Sequence, residues 1–213
     1  MGSHALRVGV LVNDAVRDEP WLAEHGVAFW VEVAGGTRPY RFLFDTGRTF
    51  DVLAHNARAM HVDWGAVEAV VISHGHNDHT GGLLETVRAC GRRVPVILHP
   101  DALLPKLKTV PILRTIGAPH RWDQVGETGC LLATREPVQL VAGVQTSGEI
   151  PRTTAFEGPE EFHTLRDGRL ERDELRDDLA LFIHLPDVGL VVVTGCAHAG
   201  IVNTIRHGLA LTG

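Results

Sequence analysis

A chain of 213 residues with 44% hydrophobic and 22% charged side chains lies within the range of one soluble globular domain with a sizeable core. A net charge of −6 excludes a broad basic surface, so nucleic acid is not expected as a partner, although a small substrate could still carry phosphate. Apolar runs such as 69–72 and 189–193 fall far short of the roughly 20 residues that span a membrane. Neither a signal peptide nor CxxC spacing is visible around Cys90, Cys130 and Cys196, which fits a reducing, cytoplasmic setting.

Residues 1–4 read as a cloning remnant, leaving 5–213 as a single domain. Residues 7–12 and 27–33 are expected as strands around a polar turn over 14–24. Residues 41–44 form a short strand that stops at Asp45-Thr46-Gly47. Phe50, Val52, Leu53, Ala57 and Met60 then recur at helical spacing and predict a helix over 49–60. A strand over 69–72 runs into the stretch SHGHNDHTGG, residues 73–82. Leu83, Leu84, Val87 and Ala89 predict a helix closed by Gly91, and 94–98 the next strand. Residues 100–119, rich in proline, are expected as loop and short helix. Segments 138–146, 179–185 and 190–194 are strand-like, and the charged run 166–178 between them is expected as a solvated connection. A last helix is expected over 203–211. Strand–turn–helix units early and strands late, with no solenoid repeat, suit a mixed α/β domain.

The histidine-rich stretch carries the chemistry. Metal ligands must converge on a point about 2 Å away, and Gly75 lets the backbone curl between His74 and His76. Asn77-Asp78 leads into a helix start that can turn Asp78 and His79 back toward the same pocket. His74 and His76 could serve one ion and Asp78 and His79 a second, with roughly 3.5–4 Å between ions that clamp a water or hydroxide. Imidazole and carboxylate donors suit Zn2+ first, one or two ions, with Mn2+ or Fe2+ as alternatives. Bound water would have its pKa lowered to about 7. His25, His55, His61, His99, His120, His163, His184 and His207 read as surface or hydrogen-bonded core residues.

His74, His76, Asp78 and His79 fill the His-x-His-x-Asp-His signature that follows a strand, and in this the chain resembles the metallo-β-lactamase fold superfamily. Phe44-Asp45-Thr46-Gly47 resembles the family's upstream motif, which implies that Asp45 buttresses the metal loop. Residues 194–203 (TGCAHAGIVN), 147–152 (SGEIPR) and 177–181 (DDLAL) are similar to the subfamily of dihydropterin-ribofuranosylaminobenzene phosphate synthases. The resemblance runs from Leu6 onward and implies an αββα four-layer sandwich with a dinuclear site at one edge of the two sheets. It also implies that His198, after a tight Gly-Cys turn, completes one ion's coordination.

Cys196 stands where many members carry a bridging aspartate, and reads either as a thiolate ligand or as a packed thiol. Asp178 and Glu149 read either as groups around the metal and substrate or as ordinary salt-bridge and turn residues. Arg152 reads as a substrate-phosphate contact or a solvated surface residue. The family continues past the Gly-Cys-x-His element to a late histidine, whereas His207 lies in an expected helix, so the second ion is expected to be held more weakly. A missing edge strand would favour pairing with another copy.

The leading expectation is a metallohydrolase whose metal-bound hydroxide attacks an ester, thioester, lactone or phosphodiester of a small-molecule substrate, with Asp78 orienting the nucleophile. The subfamily likeness implies as an alternative a transferase that joins a pterin to a ribofuranosylaminobenzene phosphate. A third reading is a metal-binding but catalytically silent protein.

Overall fold

A computed structural model describes residues 6–34, 38–158, 160–186 and 188–213. The remnant expected over residues 1–4 lies outside the described residues. The elements follow in the order β1 (Leu6–Val12), β2 (Ala28–Val33), β3 (Tyr40–Phe44), α1 (Phe50–Ala59), β4 (Ala69–Val71), α2 (Asn77–Thr80), α3 (Leu83–Ala89), β5 (Pro95–Leu98), β6 (Lys106–Lys108) and β7 (Arg114–Thr115). They continue with α4 (Trp122–Thr128), β8 (Cys130–Ala133), β9 (Gln139–Val141), β10 (Val144–Thr146), β11 (Phe162–Arg166), β12 (Arg169–Asp173), β13 (Ala180–Leu185), β14 (Gly189–Thr194) and α5 (Ile201–Thr212). The described residues divide into two units, one drawn from 6–72, 76–97 and 118–132, the other from 73–75, 98–117 and 133–213.

The first unit is built on a sheet of order β1-β2-β3-β4-β5-β8. β1, β2 and β3 pair antiparallel, whereas β3, β4 and β5 run parallel. Parallel strands are covered on both faces, which is why β4 is apolar throughout and all of Ala69, Val70 and Val71 are buried. Because β3 and β4 are parallel, Asp45 and the histidine loop that follow them leave the sheet at the same edge. α1 starts at Thr49, whose side chain accepts from Val52 N, and buries Leu53 and Ala57. Its buried Asn56 donates to Leu11 O and Leu22 O and accepts from Leu22 N, tying down the polar turn after β1.

The second unit holds two antiparallel sheets, of order β14-β13-β10-β9 and β12-β11-β6-β7. α5 lies on β13 and β14: a Cβ at Gly208 would meet Leu190 and Phe182 within 3 Å. Ile150, Ala180, Phe182 and Ala199 form the core there, with Leu190 and Val192 against it. The first amides of α5 are capped from a distance, since Val202 N and Asn203 N donate to the Glu157 carboxylate at 2.8 and 3.0 Å.

Several expectations change. The charged run 166–178 is not a solvated connection: it completes the β11–β12 hairpin and then turns inward, burying Asp173, Asp177 and Asp178. The segment 100–119 forms a 3-10 turn at Pro100–Leu103 but also contributes β6 and β7. The expected strand 138–146 is two strands, β9 and β10, separated by a turn at Gly143 with φ 77°. Among the described residues no helix is long and apolar enough to cross a membrane.

Candidate metal centre

In the first unit the loop after β4 becomes α2, with His76 as its N-cap; the His76 carbonyl accepts from Thr80 N at 3.0 Å and Thr80 Oγ1 at 2.9 Å. This one-turn helix needs its glycines: a Cβ at Gly81 would sit 1.9 Å from Arg48 O. His79 is buried, and its Nδ1 lies 2.7 Å from Oδ2 of the fully buried Asp45. Thr46 adds two hydrogen bonds to His79 O, from N and Oγ1, each 2.8 Å. A carboxylate on one ring nitrogen fixes ring direction and tautomer and leaves the other nitrogen able to ligate a cation. That nitrogen, Nε2, lies 3.5 Å from Asp78 Oδ2. Asp78 Oδ2 is also 3.3 Å from Nε2 of the exposed His25, whose Nδ1 faces Asp14. His25, read from the sequence as ordinary, thus stands beside Asp78, and no local pattern across a separation of 53 positions would reveal it.

In the second unit His74 is fully buried with Nδ1 2.9 Å from Ser73 Oγ. Its ring meets that of His198 edge to face at 4.8 Å. A donor nitrogen of His74 lies within 4.8 Å of a donor nitrogen of His198, and likewise of the Cys196 sulfur. His198 is held by Glu160 Oε1, 3.0 Å from its Nδ1, and by the edge of the Phe162 ring at 5.7 Å. Burial works against its charged form, but the hydrogen bond to Cys196 and the carboxylates of Asp178 and Glu160 outweigh that, so its pKa is raised. Asp178 is buried; its Oδ2 accepts from Ala199 N at 2.8 Å, and burial pushes its pKa up to about 6. Its Oδ1 has no hydrogen-bond partner among the described residues.

The loop backbone around His74 is gripped on both sides, by Leu179 N donating to Ser73 O at 2.7 Å and by Asp177 Oδ2 accepting from Gly75 N at 2.8 Å. Asp177 Oδ1 in turn accepts from Lys106 Nζ, a buried ammonium that also donates to Asp173. Burial lowers the Lys106 pKa, but the two carboxylates overcome it and the net shift is upward. Lys106 was not a candidate in the sequence, where a lysine in a proline-rich segment signals solvent.

The remaining candidates are engaged differently. Glu149 joins an ionic cluster, with Oε2 2.9 Å from Arg135 Nη1 and 3.3 Å from the buried His99 Nε2. Arg152 Nη2 donates to the backbone carbonyls of Glu174 and Leu175. Within each unit the donors fit a borderline cation: in the first, the buried His79 has Nδ1 tied to Asp45; in the second, the buried His74 has Nδ1 tied to Ser73 Oγ and the buried Asp178 has an oxygen left over.

Residues 40–158 match the family model of a β-lactamase superfamily domain. A 7,8-dihydropterin-6-methyl-4-(β-D-ribofuranosyl)-aminobenzene-5′-phosphate synthase of Methanocaldococcus jannaschii is 26% identical, over 98% of this chain and 73% of that protein. An uncharacterized protein of the same organism is 31% identical, over 96% of this chain and 75% of its own length. Among solved structures, a metal-dependent hydrolase of the β-lactamase superfamily superposes with a TM-score of 0.78 at 31% identity, covering 98% of this chain and 72% of that one. Enzymes stand in both comparisons, which bears out the expectation of a superfamily enzyme. With the family model spanning more than half of the sequence and two relatives at 31% identity spanning nearly all of it, the chain belongs to the metallo-β-lactamase superfamily.

Proposed function

We propose that the chain is a metal-dependent hydrolase in which His74, His76, Asp78, His79 and His198 hold one or two ions, Zn2+ first, with Mn2+ or Fe2+ as alternatives. Its substrate would be a small molecule with an ester, thioester, lactone or phosphodiester bond. The observation that carries this reading is the Asp45–His79 pair, a buried carboxylate 2.7 Å from one nitrogen of an imidazole whose other nitrogen faces Asp78. Such an arrangement orients a ligand and raises its basicity. Bound ions supply Lewis acidity and a water whose pKa falls to about 7.

The protein's own part is to position and to move protons. Asp45 keeps the proton of His79 on Nδ1. Asp78 Oδ2, with His79 Nε2 and His25 Nε2 on either side, would orient a nucleophilic water. The metal-dependent hydrolase at 31% identity supports this reaction class. The test is a panel of nitrophenyl esters, phosphodiesters and lactones, run with metal content measured. Turnover that tracks metal content and is abolished by His76→Ala supports hydrolysis; a fully metallated protein inert on every substrate overturns it and leaves a silent metal binder.

The synthase relative at 26% identity favours a second reading, a transferase acting on a pterin and a ribofuranosylaminobenzene phosphate. Product formation that depends on the pterin and consumes no water would select it over hydrolysis.

A further inference from the structure

Resting on the metal-binding reading above, we propose that Lys106 is a positioning residue for the His74–His198 donor pair, acting through Asp177 on the backbone at Gly75. Three consecutive residues form the grip. Asp177 Oδ2 accepts from Gly75 N at 2.8 Å, Asp178 Oδ2 accepts from Ala199 N at 2.8 Å, and Leu179 N donates to Ser73 O at 2.7 Å. One short segment therefore fixes the residue on each side of His74 and the residue just after His198, and with them the 4.8 Å separation of the two rings.

The grip depends on which way the Asp177 carboxylate faces. Asp177 is fully buried, and an uncompensated carboxylate there would be costly to keep ionised. Lys106 Nζ supplies the counter-charge and takes Oδ1 at 2.8 Å, which aims Oδ2 at Gly75. The ammonium is itself held from the other side by Asp173 Oδ2 at 2.8 Å, and Asp173 Oδ1 accepts from Leu175 N at 2.9 Å. Each carboxylate thus uses one oxygen on the lysine and the other on a backbone amide.

Lys106 also touches the loop directly. A Cβ at Gly75 would lie 3.0 Å from Lys106 Cε and 2.6 Å from Ala102 O, so the bare backbone of Gly75 packs against the aliphatic stem. An apolar residue of the same length would fill that space but would bring no counter-charge to Asp173 and Asp177. It could not orient Asp177. This separates positioning from mere packing.

The test measures Zn2+ affinity by competition with a chromophoric chelator, beside the ring resonances of His74 and His198 in the metal-free protein. Lys106→Met and Asp177→Ala are expected to weaken Zn2+ binding by about 10–100-fold, the usual cost of losing a group that orients a ligand, and to shift both ring signals. Adding Asp177→Asn to Lys106→Met, which leaves a neutral carboxamide oxygen for Gly75 N, is expected to restore part of the affinity. If Lys106→Met does not fold, Asp177→Ala, which keeps the Lys106–Asp173 pair, carries the test. Folded variants with wild-type affinity and unmoved ring signals overturn the inference and leave the metal reading intact. A wild-type protein that binds no Zn2+, Mn2+ or Fe2+ sinks the metal reading instead, and the ring signals of folded Asp177→Ala then decide the inference alone.

Discussion

Asp45 and His79 stand 34 positions apart in sequence, yet Oδ2 of one lies 2.7 Å from Nδ1 of the other in a site with no solvent contact for the carboxylate. Asp45 holds this position with φ 62°, a left-handed backbone that asparagine also tolerates. Asp45→Asn therefore isolates the charge from the backbone. Zn2+ affinity is expected to fall about 10–100-fold while the urea midpoint hardly moves; unchanged affinity would show that the carboxylate does not tune His79.

Gly75→Ala is expected to destabilise the fold by about 1–3 kcal/mol through overpacking. The added methyl would come within 2.6 Å of the Ala102 carbonyl, which is backbone and cannot swing aside. Equilibrium urea unfolding reads the change, and a wild-type midpoint would mean that the loop yields more readily than its contacts suggest.

Lys106→Met strands two buried carboxylates, Asp173 and Asp177, without their shared ammonium. Breaking a buried pair in this way costs about 3–5 kcal/mol, to be measured by chemical denaturation without metal. A loss below about 1 kcal/mol would mean that water or a neighbouring cation replaces the amine.

His99 supplies a pH dependence. Burial lowers its pKa, opposed by the hydrogen bond to Glu149, while its Nδ1 accepts from Asp101 N at 3.0 Å. Below the unfolded value near 6.5 the unfolded chain takes up a proton that the native ring resists. Stability therefore falls as pH drops from the unfolded pKa toward the folded one, by at most about 1.4 kcal/mol per pH unit for this single proton. His99→Asn, which keeps an acceptor for Asp101 N, is expected to flatten that part of the stability curve between pH 7 and the folded pKa; an identical slope in wild type and variant would assign it to other groups.

The three cysteines should separate in a thiol-labelling experiment at pH 8. Cys90 is buried and its pKa is pushed up to about 11 by burial, so only about one molecule in a thousand carries the thiolate. Cys130 and Cys196 are exposed. Labelling of Cys130 and Cys196 in the native protein, with Cys90 reacting only on unfolding, is expected. Added Zn2+ should protect Cys196 alone, since its sulfur lies within 4.8 Å of a His74 nitrogen; equal labelling with and without Zn2+ would make it a bystander.

The parts of the fold that the sequence announces are those with a local signal. The apolar run of β4, the helical spacing of Leu53 and Ala57, and the His-Gly-His curl all depend on neighbours a few residues away. Strand β12 lacks such a signal: four of its five residues are exposed and four are charged, and it exists because β11 offers it a ladder from Phe162 to Arg166. Helix α4 and strand β8 also went unread, being seven and four residues with few buried side chains. In the candidate site the four potential donors of the loop, His74, His76, Asp78 and His79, are legible as a pattern. Their supports are not, because Lys106 meets Asp173 and Asp177 across 67 and 71 positions, and a charged residue becomes a core residue only when its counter-charge arrives from that far.

The start of α5 bears on what may approach His198. A helix N-terminus two residues downstream of that histidine would ordinarily offer free amides to a phosphate or carboxylate. Here Glu157 already occupies the amides of Val202 and Asn203, and its carboxylate would crowd any Cβ at Gly200. An incoming anion thus meets like charge rather than a cradle at this helix start, the reverse of what a bare helix N-terminus presents.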